Sequence, residues 1–183
     1  AQCPVRRDGG DAESGREDSQ GQEDFPQSGA GLMLELAVET DREAVNWLAC
    51  QVHAMHVGWL PETYEMPPEM YPKERFQKAI AERSLYVARL HGAVVGYMNL
   101  MIRNFDGLGL KKRKVLRIDE IAVEESLRGQ GVGTEMMEDV RALAKTLGCT
   151  SLQLGVYPQN AAAVAFYQKC GFTVRSLEMQ RKL

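Results

Sequence analysis

A chain of 183 residues has room for one domain with a sizeable core, and 44% hydrophobic with 26% charged residues is ordinary for a globular protein. A formal net charge of -3 gives no broad attraction to nucleic acid, no apolar run is long enough to span a bilayer, and no basic-then-apolar leader is visible, so neither nucleic acid nor a membrane is expected as a partner. Cys3, Cys50, Cys149 and Cys170 are scattered without a Cys-x-x-Cys pair, which predicts free thiols in a reducing cytoplasm and neither a zinc site nor a disulfide framework.

Residues 1–30 are rich in Gly, Ser, Gln, Asp and Glu, with Phe25 the only aromatic. Such a segment buries too little apolar surface to offset its ordering entropy; it reads as a disordered tail or leader ahead of a single domain over 31–183. LMLELAV, from Leu32, reads as a strand. Thr40–Glu43, TDRE, has the form of a capping box opening a helix with Ala44, Trp47, Leu48, Val52 and Met55 inward and Gly58 at its end. The proline-rich LPETYEMPPEMYP reads as a loop, and Pro72 starts a second helix. SLYVARL and AVVGYMNLMI form a hairpin about His91-Gly92. The loop RNFDGLGLKKRK leads to the strand VLRIDEIAV. Val132, Met136, Val140, Leu143, Ala144 and Leu147 then recur at helical spacing, with Gly148 as the stop. TSLQLGV is a strand, NAAAVAFYQKC a helix capped by Asn160, and GFTV and SLEMQRKL are read as two closing strands. The order β-α-α-β-β-β-α-β-α-β-β predicts an α/β mixed sheet.

The segment between VLRIDEIAV and its helix, RGQGVG at Arg128–Gly133, concentrates glycine at a helix entrance. Glycine admits positive φ and close backbone approach, and a helix N-terminus offers unpaired amides with a partial positive charge. Together with Arg128 they make an anion cradle suited to phosphate. The Gly-Lys-Ser/Thr ending of a Walker A loop is missing, as is the setting of a dinucleotide fingerprint. A nucleotide phosphate binder and a ligand-free helix entry both stay open on this loop alone.

About thirty residues on stands Asn160–Phe172, NAAAVAFYQKCGF. Arg128-x-x-Gly131-x-Gly133 resembles the acyl-CoA signature of the GNAT superfamily of N-acetyltransferases. The later stretch is similar to that family's Asn-x-x-Ala-x-x-(Phe/Leu)-Tyr-x-x-x-Gly-Phe. The resemblance runs from about Leu32 onward and is strongest from Lys114. It implies a mostly antiparallel mixed sheet whose central parallel pair splays around acyl-CoA, flanked by about four helices. It further implies that the diphosphate takes amides from Gly129, Gln130, Gly131, Val132, Gly133 and Thr134 beside Arg128. The pantetheine arm would pair along Ile121, Ala122 and Val123 as a surrogate strand. Acetyl-CoA is then the co-substrate, with no metal. The acceptor is a small-molecule or peptide amine, and a homodimer is left open.

Acetyl transfer to an amine needs a base, an oxyanion donor and a donor to the leaving sulfur. Glu120 is the candidate base. Strict alternation puts it on the face of Leu116, Ile118 and Ala122, where desolvation favours the neutral acid; a salt-bridged strand carboxylate, partnered by Arg117, is the competing reading. Asp119, on the opposite face, is second, and a bulge would reverse that order. By the family's pattern Tyr167 is the acid and the Ile121 amide the oxyanion donor; Asn160 caps its helix, reaches the pantetheine amide, or does both. Glu62, Glu65 and Glu69 with Tyr64 and Tyr71 form a rim that would attract a cation; Lys111–Lys114 reads as a solubilising run. His53 and His56 lack a third ligand and read as groove or surface residues. A CoA-binding sensor or interaction module without turnover is the alternative function.

Overall fold

The computed structural model describes residues 32–181; the expected tail over 1–30 and the last two residues of the second closing strand lie outside them. Five strands form one sheet in chain order: β1 (Met33–Leu36), β2 (Leu85–Leu90), β3 (Ala93–Phe105), β4 (Arg113–Val123) and β5 (Ser151–Leu154). The β1–β4 pairings are antiparallel, and β5 joins β4 in parallel. Helices α1 (Arg42–Trp59) and α2 (Lys73–Ala81) precede β2, α3 (Val132–Thr146) crosses from β4 to β5, and α4 (Ala161–Lys169) follows β5.

Two apolar clusters result. Val45, Leu48 and Ala49 of α1 and Phe76 and Ala79 of α2 pack with Leu85, Val87, Tyr97 and Ala122. Met136, Met137, Val140 and Ala144 of α3 pack with Met98, Leu100, Leu116 and Ile118. The helical stripe read from Val132 onward is therefore the inner face of α3. His91 and Gly92 take φ of 50° and 83°, the twist a two-residue hairpin requires, and Leu90 pairs with Ala93. Gly148, φ 70°, follows the end of α3 as expected.

Three local expectations are corrected. First, the Thr40–Glu43 box does not cap α1. A 3-10 turn over Glu39–Asp41 comes first, and Asp41 Oδ2 accepts the Val38 amide at 2.9 Å. Asp41 is 3% exposed and takes both oxygens to Arg89 Nη2 at 2.8 Å. That cross-sheet partner is invisible in a local motif. Second, half of the basic run is structural: Arg113 stacks at 4.3 Å on the Phe105 ring, and Lys114 Nζ donates to Leu147 O, at the end of α3, at 2.7 Å. Third, GFTV and the described part of SLEMQRKL form no strand; Val174, Leu177 and Met179 are exposed. A strand needs a partner edge for its amides, and β5 offers four residues. The parallel pair accordingly sits at the end of the described sheet and not at its centre. Cys149 and Cys170 are free thiols.

Asp41→Ala strands Arg89 and the Val38 amide together and should cost about 2–4 kcal/mol in denaturant unfolding. Glu35→Ala, which removes the more exposed partner of Arg89, should cost under about 1 kcal/mol; equal losses would refute the assignment.

Candidate active site

β4 and β5 stay together only from Val115–Ser151 to Ile118–Leu154. β4 then continues to Val123 while β5 ends, so the chain beyond Ile118 has β3 on one edge and no strand on the other among the described residues. The Glu124 amide reaches Val95 O at 2.8 Å, which fixes the β3-facing side. Alternation then turns the N–H and C=O of Ile121 and Val123 to the uncovered edge and those of Ala122 to β3. Val123 O accepts Arg128 Nε at 3.1 Å, so Arg128 is folded back against the end of this edge.

The loop that follows ends at the N-terminus of α3. Gly129 and Gly131 have φ of 78° and 93°, and Gly131 is the α3 N-cap. Its carbonyl accepts the Thr134 and Glu135 amides at 2.9 and 3.0 Å, and the Gln130 amide reaches Leu127 O at 3.4 Å. The amides of Gly129, Gly131, Val132 and Gly133 make no backbone hydrogen bond among the described residues. Gln130 and Thr134 thus spend their amides inside the loop, while the other four remain available to an anion. A Cβ on Gly133 would stand 3.2 Å from the Phe166 ring, so this glycine lets α3 and α4 approach.

Asn160 caps α4, its Oδ1 accepting from Ala163 N at 3.1 Å. On that helix Tyr167 packs against Phe166 and Phe172, with ring centroids 5.3 and 5.9 Å apart. Burial, with a smaller contribution from Cys170, pushes its phenol up to about 12. It therefore remains protonated at neutral pH.

The carboxylates are sorted by a bulge. β3 and β4 pair Asn99 with Glu120 and next Leu100 with Ile118, leaving Asp119 as the extra residue. Leu116 and Ile118 pack with α3, whereas Ala122 belongs to the α1–α2 cluster. Glu120 goes with Ala122 and away from Leu116 and Ile118, which corrects the face expected from strict alternation. Asp119 turns to its own strand, pairing with Arg117 Nε at 2.6 Å, the cation expected beside Glu120. Glu120 Oε2 accepts from the Tyr71 and Tyr97 hydroxyls, each at 2.9 Å, and Oε1 is paired with Arg75 Nη2. Asn99 Nδ2 donates to the Tyr71 hydroxyl at 3.2 Å, and the Arg75 guanidinium lies 4.2 Å over the Tyr71 ring. Burial first, then the Glu120 charge, pushes both phenols above their ordinary value.

Tyr71 is fully buried, so it underpins the site and does not belong to the expected acidic rim. Its loop is pinned by buried Asn46, whose Oδ1 accepts the Met70 and Tyr71 amides at 2.8 and 2.9 Å. Glu69 pairs with Arg42 at 3.3 Å. Of the rim residues, Tyr64 faces His53 and His56 and joins its hydroxyl to that of Tyr157, beyond β5, at 2.5 Å. Burial, then His53, lowers the His56 pKa. Tyr97, Arg75 and Asn99 were missed from sequence. No local pattern ties them to Glu120, since each lies 21 to 45 residues away in the chain.

The model of the Acetyltransferase (GNAT) family matches residues 33–172. An uncharacterised N-acetyltransferase of Methanocaldococcus jannaschii is 31% identical over 91 residues, 50% of this chain and 39% of that protein. A glucosamine 6-phosphate N-acetyltransferase of Trypanosoma brucei brucei is 29% identical over 93 residues, 50% of this chain and 59% of that protein. The matched stretches thus span well under two thirds of these relatives. A solved structure, the tetramutant of the BH1408 protein from Bacillus halodurans, shares the fold with a TM-score of 0.77 at 24% identity, covering 82% of this chain and 99% of that one.

The buried phenols generate a pH test. Folding raises the pKa of Tyr71 and Tyr97 above 10.0. Their stabilisation is whole below that value and lost as pH rises past it, because the unfolded chain releases these protons first. Unfolding midpoints should therefore fall above about pH 10, and Tyr97→Phe should flatten the fall; parallel curves for wild type and variant would refute the coupling.

Proposed function

The chain belongs to the acetyltransferase (GNAT) family, and on that premise we propose that it moves an acetyl group from acetyl-CoA to a primary amine by direct attack in a ternary complex. One observation carries the proposal: the uncovered edge of β4 at Ile121–Val123 runs into four unspent amides at the N-terminus of α3. A diphosphate at that N-terminus meets Gly129, Gly131, Val132 and Gly133 with Arg128 alongside. The pantetheine amides then have Ile121 and Val123 to pair with. The Asn160 amide nitrogen, left over once its oxygen has capped α4, is a further donor.

The chemistry follows from what each residue holds. A lysine-like ammonium, pKa ~10.4, has no lone pair at neutral pH, and Glu120 accepts the proton that must go, directly or through a water. The amine nitrogen bonds to the thioester carbon, the oxyanion passes by the Ile121 amide, and the carbon–sulfur bond breaks. Tyr167 meets the leaving sulfur. A phenol near 12 lies more than three pH units above an ordinary thiol, about 8.5. It therefore stabilises the thiolate chiefly by a hydrogen bond and not by full proton transfer. No covalent enzyme intermediate is needed; the free thiols Cys149 and Cys170 stay outside the route.

Titration with acetyl-CoA and a thiol-release assay test this. Gly131→Glu, which puts a negative charge into the cradle, should weaken acetyl-CoA binding at least about tenfold; unchanged affinity would remove the cradle. Tyr167→Phe should lower kcat about ten- to a hundredfold with little change in acetyl-CoA affinity. Tight binding without thiol release toward any amine would instead identify a binding module.

A further inference from the structure

We propose that the acceptor is an anionic amine, one carrying a carboxylate or phosphate close to the reacting amino group, and that Arg75 selects it by exchanging its ion pair with Glu120 for one with that anion. The proposal rests on the acetyl-transfer reading above and names the substrate class of the same site.

The argument begins with what occupies Glu120. Oε2 is held by Tyr71 and Tyr97, which are 0% and 2% exposed, so that oxygen is fixed and out of reach. Oε1 is held by Arg75. Oε1 has one protein donor where Oε2 has two, so an incoming ammonium meets the carboxylate at Oε1, beside the guanidinium. The side chain of Arg75 is 41% exposed, whereas the two tyrosine partners of Glu120 are buried. Stacking on Tyr71 and donation to Met70 O keep the displaced guanidinium beside the carboxylate. An acceptor bringing only positive charge would thus compete for the single Arg75–Glu120 contact and leave Arg75 facing a second cation. An acceptor bringing an amine and an acid group replaces one pair by two, since the fork geometry of guanidinium suits carboxylate and phosphate alike.

The surroundings point the same way. Arg75 and Glu120 line a cleft with Lys78, Arg83, Ser84, Asn99 and others. The acids of that cleft are engaged: Glu82 with Lys78, Asp119 with Arg117, Glu120 with Arg75. Arg83 has no ion pair among the described residues. The unmatched charge in the cleft is positive.

The test uses acceptors differing only in the acid group, with acetyl-CoA and thiol-release detection. One arm sets glucosamine 6-phosphate against glucosamine, the other an amino acid against its amide, and a diamine serves as the cationic reference. Wild type should favour the anionic member of at least one arm by about tenfold or more in kcat/KM, and the arm identifies the acid group. Arg75→Gln should bring that ratio close to one, chiefly through a raised KM for the anionic member. Arg75→Lys, with charge but no fork, should fall between. Neutral or cationic acceptors used as well as anionic ones by wild type, or a preference that survives in Arg75→Gln, would overturn this proposal alone. No thiol release with any acceptor would overturn the acetyl-transfer reading and this proposal with it.

Discussion

A β-strand has two edges, and each backbone amide must find an acceptor on one of them or from another source. β4 gives one edge to β3 along its whole length and the other to β5 only as far as Ile118. From that residue to Val123 no strand covers the second edge among the described residues, and the chain passes through a 3-10 turn over Glu125–Leu127 into the glycine loop and α3. The strand edge and the helix N-terminus are two unsatisfied sets of donors, placed end to end by one short loop. The positive φ of Gly129 and Gly131 is what allows the loop to be so short, since side chains at those conformations are strained. Gly133, under the Phe166 ring, lets α4 close in and brings Tyr167 to the same region.

The second constraint is the single extra residue in β4. Without a bulge, alternation would send Asp119 and Glu120 to faces set by Leu116 and Ile118. With Asp119 as the extra residue, the strand changes phase. Ile118 packs on α3, and two residues later Glu120 lies among Tyr71, Arg75 and Tyr97. Bulges re-aim side chains beside functional sites, and this one separates two neighbouring carboxylates into different tasks. Asp119 steadies Arg117 on the strand; Glu120 enters a hydrogen-bonded pocket.

That pocket is built to hold a charge. Two buried hydroxyls and a guanidinium converge on the Glu120 carboxyl, and burial first, then the Glu120 charge, holds both phenols above their ordinary value. The tyrosine side of the arrangement is buried and the arginine side is partly exposed.

Much of this molecule was legible in the residues alone. The α3 stripe, the His91-Gly92 hairpin, the Asn160 cap and the glycine-rich entrance to α3 are each set by interactions within a few residues, so local spacing carries them. The paired motifs at Arg128–Gly133 and Asn160–Phe172 were enough to indicate the family and its fold. What tertiary structure decided involves partners far apart in the chain. Glu120 meets Tyr71 and Arg75 across separations of 49 and 45 residues, and Asp41 meets Arg89 across 48. The bulge that turns Glu120 toward them depends on register with β3, and the segments read as closing strands pair with no strand among the described residues. Periodicity specifies which face of an element is apolar; only packing specifies which polar groups meet behind it.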